Sequence, residues 1–111
     1  MDKVKDDQYY IEKMKINFER IMNTIDGISY EEFLTNLDYQ DITMFNLIQI
    51  SENVKNISSE YKEKNSEVPW FDIYGLRNRI VHDYGNVVLD TIYKTITDDI
   101  PDLYKKFFKK K

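Results

Sequence analysis

The scarcity of glycine and proline does most to narrow what this chain can fold into, since three glycines and two prolines stand among 111 residues. Strands joined by tight turns need these residues at many positions, whereas long helices do not. The apolar residues agree, because in the first segment they recur in steps of three, four and seven. This stripe predicts a helix of about 24 residues that ends near Gly27; its members are Val4, Ile11, Met14, Phe18, Ile21 and Ile25.

Local signals predict two further helices in the middle of the chain. Ser29 and Glu32 have the spacing of a capping box, which predicts a short helix over residues 31–36. Asp38 is predicted to cap the helix that follows. That helix is expected to continue to Tyr61 along one apolar stripe, formed by Leu47, Ile50, Val54, Ile57 and Tyr61.

The C-terminal half repeats the helical pattern after a break. Residues 62–68 are polar and aperiodic, which predicts a loop. Pro69 suits the first position of a helix over residues 70–83, which Gly85 interrupts or ends. A stripe at residues 88 or 89, 92 and 96 predicts another helix, and Pro101 is predicted to start a last short one.

These patterns predict an all-α fold in which five or six helices form an antiparallel bundle with short connections. Nothing divides the chain, so residues 1–111 are predicted to form a single domain. The apolar face of the 70–84 helix is not needed inside such a bundle. It therefore leaves room for a homodimer.

Composition limits the classes of function. The absence of cysteine excludes a disulfide framework and a thiolate metal site. The charged N-terminus and the lack of a long apolar run predict a cytoplasmic protein without a membrane span. The net charge of −4 argues against a broadly basic surface for nucleic acid. Any contact with RNA should therefore be local, at Arg77 and Arg79 or at the lysines of residues 105–111.

Residues 77–84, Arg-Asn-Arg-Ile-Val-His-Asp-Tyr, hold the one histidine of the chain. On an α-helix Arg77 and Tyr84 are about 20° apart, whereas His82 points about 140° away from Arg77. A straight helix would not bring Arg77 and His82 onto one small substrate. Either the helix bends, or the arginine reaches around it, or a second subunit completes the site.

These residue types suit the cleavage of RNA without a metal. A histidine can move a proton near neutral pH, and an arginine can hold a phosphate by two hydrogen bonds. Asn78 can hold either group by hydrogen bonds. The spacing alone is weak, however, and a plain helical bundle in which Arg77 pairs with Asp83 and His82 faces solvent fits it as well.

The surrounding sequence resembles a known signature. Residues 69–84 contain Pro69-Trp70, then Gly75-Leu76-Arg77-Asn78, three further residues, and His82-x-Tyr84. This run resembles the signature of the HepT-like toxins, a branch of the HEPN superfamily. Glu31-Glu32-Phe33-Leu34 is similar to the start of the family's second helix. Ile50-Ser51-Glu52-Asn53 is similar to its Ile-Gly-Glu-Ala segment, with serine for glycine and asparagine for alanine.

The resemblance implies an all-helical homodimer whose two Arg-x4-His pairs line a cleft at the two-fold axis. It implies a metal-independent ribonuclease without a cofactor, in which Arg77 and His82 are catalytic and Asn78 supports them. Such enzymes are the toxins of a type VII-like toxin–antitoxin pair, whose minimal nucleotidyltransferase antitoxin adenylylates the tyrosine, here Tyr84. The alternative is a helical dimer that does not catalyse and binds a nucleotidyltransferase or a nucleotide.

Overall fold

The computed structural model describes residues 6–76, 78 and 89–108. Within these ranges the chain is helical and contains no strand, which confirms the predicted all-α fold class. The helices are α1 (Asp7–Ile25), α2 (Tyr30–Thr35), α3 (Leu37–Val54), α4 (Ser59–Lys64), α5 (Trp70–Tyr74), α6 (Leu89–Lys94), a π-helical segment (Thr95–Asp99) and α7 (Ile100–Phe108).

The pairing of α1 with α3 forms the centre of the bundle. The predicted α1 stripe is confirmed within the described residues, and its central members are fully buried against the stripe of α3. Val4 lies outside the described residues. The shared core residues with no exposed surface are Met14, Phe18, Ile21, Leu47 and Ile50.

A chain of three asparagines crosses the same interface. The Asn17 Nδ2 donates to Asn46 Oδ1 at 2.9 Å, and the Asn53 Nδ2 donates to Asn17 Oδ1 at 3.3 Å. Asn46 also donates to the carbonyl of Ile42 at 2.8 Å. Because buried amides are stable only when they are hydrogen-bonded, this network permits one register of α1 against α3.

The caps agree with the sequence at two positions and differ at a third. Gly27 follows α1 with a φ of 74°, as expected of a helix stop. The capping box is confirmed, since Ser29 Oγ accepts from the Glu32 N–H at 3.1 Å and Glu32 Oε1 accepts from the Ser29 N–H at 2.9 Å. Asp38 was wrongly predicted to cap α3. Asn36 does so, because its Oδ1 accepts from the Tyr39 N–H at 3.1 Å.

The predicted continuous helix to Tyr61 was also wrong, because α3 ends at Val54 and α4 begins at Ser59. Ser58 caps α4, and its Oγ donates to Asp7 Oδ2 at 2.6 Å while its N–H donates to Asp7 Oδ1 at 2.8 Å. These bonds to α1 compete with the helical path. The loop predicted over residues 62–68 starts too early, since α4 continues to Lys64 and the turn covers residues 65–68.

A π turn joins the last two helices. Pro101 has no N–H, and in α geometry its ring would collide with the carbonyl of Thr97. The widened turn avoids this clash, and the Ile100 N–H donates to the carbonyl of Thr95, five residues earlier. The prediction that a helix begins at Pro101 is right to within one residue. The break before it is a bulge within a helical path, and not a loop.

Aromatic residues fix α7 against α1. Phe107 lies 5.6 Å from Phe18 between ring centroids, and the Tyr104 hydroxyl donates to Glu19 Oε2 at 2.8 Å. This bond to a carboxylate, together with burial, raises the pKa of Tyr104 above its usual value of 10.0. No helix in the described part of the chain has the length and apolar character needed to span a membrane.

Candidate functional site

The site begins at α5, which carries the N-terminal part of the Pro-Trp to His-x-Tyr run. Pro69 is the N-cap rather than the first helical residue, and Trp70 starts the helix. The Trp70 indole N–H donates to the carbonyl of Asn65 at 3.1 Å, and its ring packs edge-on against Tyr61 and Phe107. Three elements thus fix the start of the helix that leads to the predicted catalytic residues.

One face of this helix is buried, so the opposite face is directed towards solvent. Ile73 is 2% exposed and Leu76 is 8% exposed. Gly75 has a φ of −75° and a ψ of −10°, so the right-handed path continues beyond α5, and Leu76 and Asn78 are helical. Gly75 therefore does not end the right-handed path within the described residues.

Ser51 connects α3 to the end of α5. Its side chain is buried, and its Oγ donates to the carbonyl of Tyr74 at 2.6 Å. This serine is one of the two departures from the family's Ile-Gly-Glu-Ala segment. Asn53, the other, belongs to the asparagine network between α1 and α3. Both departures thus place hydrogen-bonding groups at helix contacts.

Of the four predicted site residues, the structure describes Asn78, which is helical and exposed. Arg77, His82 and Tyr84 lie outside the described residues, as do Arg79 and the last three lysines. The structure therefore leaves the roles of all four as predictions. The pairing of Arg77 with Asp83 in a plain helical bundle likewise stays a prediction.

Two features beside α5 were not predicted from the sequence. One is a shallow depression of about 380 Å³, lined by Lys55, Lys62, Trp70, Phe71 and Tyr74. We call it the aromatic–lysine patch. The sequence held one signal for it, since Phe71 lies on the side of a helix opposite Ile73 and Leu76. That signal indicates an exposed ring only when Ile73 and Leu76 are known to be buried.

The second feature is a cleft of about 250 Å³ on the other side of α5, between α5, the π-helical segment and α7. Asp72, Asp99 and Asp102 line it, and Lys106 pairs with Asp102 at 3.4 Å. Within residues 6–76, 78 and 89–108, no three histidine, cysteine or acidic side chains lie close enough to hold a metal ion.

Comparison with known proteins decides the class. The family model described as "Ribonuclease HepT-like" matches residues 14–109. The chain belongs to the HepT-like ribonuclease family. This confirms the resemblance drawn from residues 69–84, together with the enzyme class and an RNA substrate at the level of the family. The helical bundle described above is accordingly of the HEPN-like kind.

Three relatives illustrate the breadth of the HepT-like family. A provisionally named RNase of Caldanaerobacter subterraneus subsp. tengcongensis is 35% identical over 97 residues, which cover 87% of each chain. A "Probable ribonuclease HepT" of Thermococcus cleftensis is 32% identical and covers 90% of this chain and 91% of its own. A provisionally named RNase of Methanocaldococcus jannaschii is 32% identical over 80% of this chain and 74% of its own. No solved structure matches the chain.

Proposed function

We propose that this chain is a metal-independent endoribonuclease that acts as the toxin of a type VII-like toxin–antitoxin pair. The observation that carries the proposal is the complete set of Arg77, Asn78, His82 and Tyr84 in a chain of the HepT-like family. The firmly packed start of the helix that leads to this set supports it. The named relatives, described as RNases in bacteria and archaea, support it as well.

The chemistry needs no group beyond the side chains. His82 accepts the proton of a ribose 2′-hydroxyl, and the 2′-oxygen forms a bond to the adjacent phosphorus. The bond from phosphorus to the 5′-oxygen breaks, and that oxygen takes up a proton from water. Arg77 stabilises the negative charge that develops on the phosphate, and Asn78 holds the phosphate or the imidazole by hydrogen bonds. The products are a 2′,3′-cyclic phosphate and a 5′-hydroxyl.

A homodimer completes the proposal. The angle of about 140° between Arg77 and His82 on a helix separates the two groups within one chain. A two-fold axis beside residues 77–84 would bring each motif next to its copy, so that one phosphate could meet an arginine and a histidine.

The decisive test is to express the parent chain and His82→Ala in bacterial cells and to examine total RNA from both. We expect growth arrest and RNA fragments with the parent alone. With purified protein and a chelator, His82→Ala should cleave at least about 100-fold more slowly, because a general acid–base group contributes roughly 10²–10⁴. Arg77→Ala should also be defective, and Arg20→Ala on the exposed side of α1 is the matched control.

The same experiment separates the alternative. If His82→Ala cuts RNA as fast as the parent, the proposal is wrong. Intact RNA with both proteins would instead favour a helical dimer that binds its nucleotidyltransferase partner without catalysis. The net charge of −4 is the observation in favour of that alternative, because it provides little general attraction for RNA.

A further inference from the structure

We propose that the aromatic–lysine patch binds an unpaired nucleotide of the RNA substrate, with the base stacked on Phe71 or Tyr74 and the phosphate near Lys62. The inference rests on the proposed ribonuclease function and adds a substrate-binding site to it. Its starting point is Phe71, which is 86% exposed although phenylalanine is normally buried.

The exposure of Phe71 is fixed by the packing of its own helix. Ile73 and Leu76 hold the opposite face of the segment in the core, and Ser51 holds the carbonyl of Tyr74. The ring cannot turn inward without removing these residues from the core. Tyr74, which is 44% exposed, lies three residues further along on the same side. Two aromatic rings are therefore presented to solvent by a fixed scaffold.

The two lysines come from other elements and meet at this aromatic surface. Lys62 belongs to α4, and Lys55 follows the end of α3, where its Nζ lies 3.0 Å from Glu52 Oε1. Among the residues that the structure describes, no carboxylate lines the patch itself. Because single-stranded nucleic acid is bound by aromatic rings that stack with bases and by cations that follow the backbone, the patch has both required components.

The position of the patch relative to the motif favours RNA as its occupant. Phe71, Tyr74 and Asn78 follow one another at steps of three and four residues, so they share one helical face, and all three are exposed. Along the helix axis, Phe71 lies about 10 Å from Asn78. A strand that crosses the patch would thus reach Asn78, the described member of the predicted catalytic set.

The charges on the other side of α5 also favour RNA as the ligand of the patch. The cleft on that side is lined by Asp72, Asp99 and Asp102 and by one lysine, which pairs with Asp102, so acidic groups outnumber basic ones there and disfavour phosphates, whereas the two lysines of the patch attract them. In a chain with a net charge of −4, this local difference directs RNA to the patch side of α5. A duplex is a poor ligand here, because its bases are already stacked on each other. The site should therefore prefer unpaired RNA.

The test measures the binding of a single-stranded RNA of about 12 nucleotides to the full chain carrying His82→Ala, which keeps the RNA intact. In this background Phe71→Ala should weaken binding by roughly tenfold or more, whereas Phe71→Tyr should retain it. Phe71→Leu should bind as weakly as Phe71→Ala, because it keeps apolar surface but has no ring face. The matched control is Phe45→Ala, since Phe45 is exposed on α3 outside the patch.

Two further measurements address the mode of binding. The single tryptophan, Trp70, lines the patch, so its fluorescence should change when RNA binds and should change less in Phe71→Ala. Lys62→Ala should reduce the slope of log affinity against log salt by about one. A duplex of the same sequence should bind more weakly than the single strand.

The outcomes separate this inference from the proposed function. If the parent cleaves RNA and Phe71→Ala binds like Phe45→Ala, the stacking site is refuted while the ribonuclease stands. If Phe71→Ala loses RNA binding because the variant no longer forms the dimer that the parent forms, the face that carries Phe71 is a contact between copies of the chain. The inference is then again wrong. A parent that neither binds nor cleaves RNA would refute the proposed function itself.

Discussion

Tyr84 differs from a phenylalanine by one oxygen atom, and we propose that this atom accepts an adenylate group from the nucleotidyltransferase antitoxin that the family resemblance implies. Its phenolic oxygen attacks the α-phosphorus of ATP, pyrophosphate leaves, and the phenolic proton passes to a base. On a helix Tyr84 lies about 20° from Arg77. An adenylate there would place a negative charge where the substrate phosphate is needed and would offer Arg77 a competing phosphate.

Replacing Tyr84 by phenylalanine should therefore separate toxicity from its control. In cells that also express the nucleotidyltransferase partner, the parent should be silenced, and its mass should increase by one or more adenylates. Tyr84→Phe should retain at least part of its ribonuclease activity, remain unmodified and continue to arrest growth. Tyr30→Phe, which changes an exposed tyrosine on α2, is the control and should behave as the parent.

Silencing of Tyr84→Phe to the same degree as the parent would show that the partner acts by binding alone. Modification of Tyr84→Phe at another tyrosine would equally contradict the assignment. The chain has nine tyrosines, so peptide mass mapping is needed to locate the adenylate.

At the scale of the elements, the contact between α3 and α5 determines how the site helix is held. Ser51→Ala removes the hydroxyl that donates to the Tyr74 carbonyl at 2.6 Å within a buried contact. We expect the free energy of unfolding to fall by about 1–2 kcal/mol, as measured by urea denaturation. Cleavage by the folded variant should also slow, because α5 leads directly into residues 77–84.

Ser66→Ala is the control for this change, since Ser66 is exposed in the turn before α5. Unfolding of Ser51→Ala at the same urea concentration as Ser66→Ala would contradict the expected role of the bond. Ser51→Gly restores the residue of the family pattern. It should be no more stable than Ser51→Ala, because it also leaves the carbonyl without this donor and adds backbone freedom.

The elements themselves were largely predictable, because helix formation here follows local patterns. The α1 stripe and the Ser29 capping box depend on residues close in sequence, and both were correct within the described residues. The errors arose where a distant residue intervened. The bond between Ser58 and Asp7 spans 51 positions and ends the α3 path early. No periodicity within residues 47–61 contains that information.

The site was predictable to a different degree. Its four named residues came from a motif, and the family match supports the motif without assigning a role to any of them. The aromatic–lysine patch was missed, because it requires knowing which face of α5 is buried and which turns lie beside it. Lys55 and Lys62 line the same depression as Phe71 only through the packing of α3 and α4, which is a tertiary property.

At the scale of the whole molecule, the proposed dimer predicts a mass in solution and a pattern of activity that a single chain would not show. We expect the parent to have a mass in solution of about twice 13.4 kDa.

A complementation experiment tests whether the two subunits share a site. Arg77→Ala and His82→Ala should each be inactive alone. When they are co-expressed, about half of the dimers should be mixed, and each mixed dimer pairs Arg77 of one subunit with His82 of the other. If the cleft uses the two residues across the two-fold axis, roughly a quarter of the parent's activity should return. If each subunit uses its own pair, the mixture should remain inactive, because no chain then carries both groups. Recovery would explain how residues about 140° apart on one helix act on a single phosphate. Failure in a dimer of confirmed mixed composition would require that the helix bends, or that the arginine reaches around it, within one subunit.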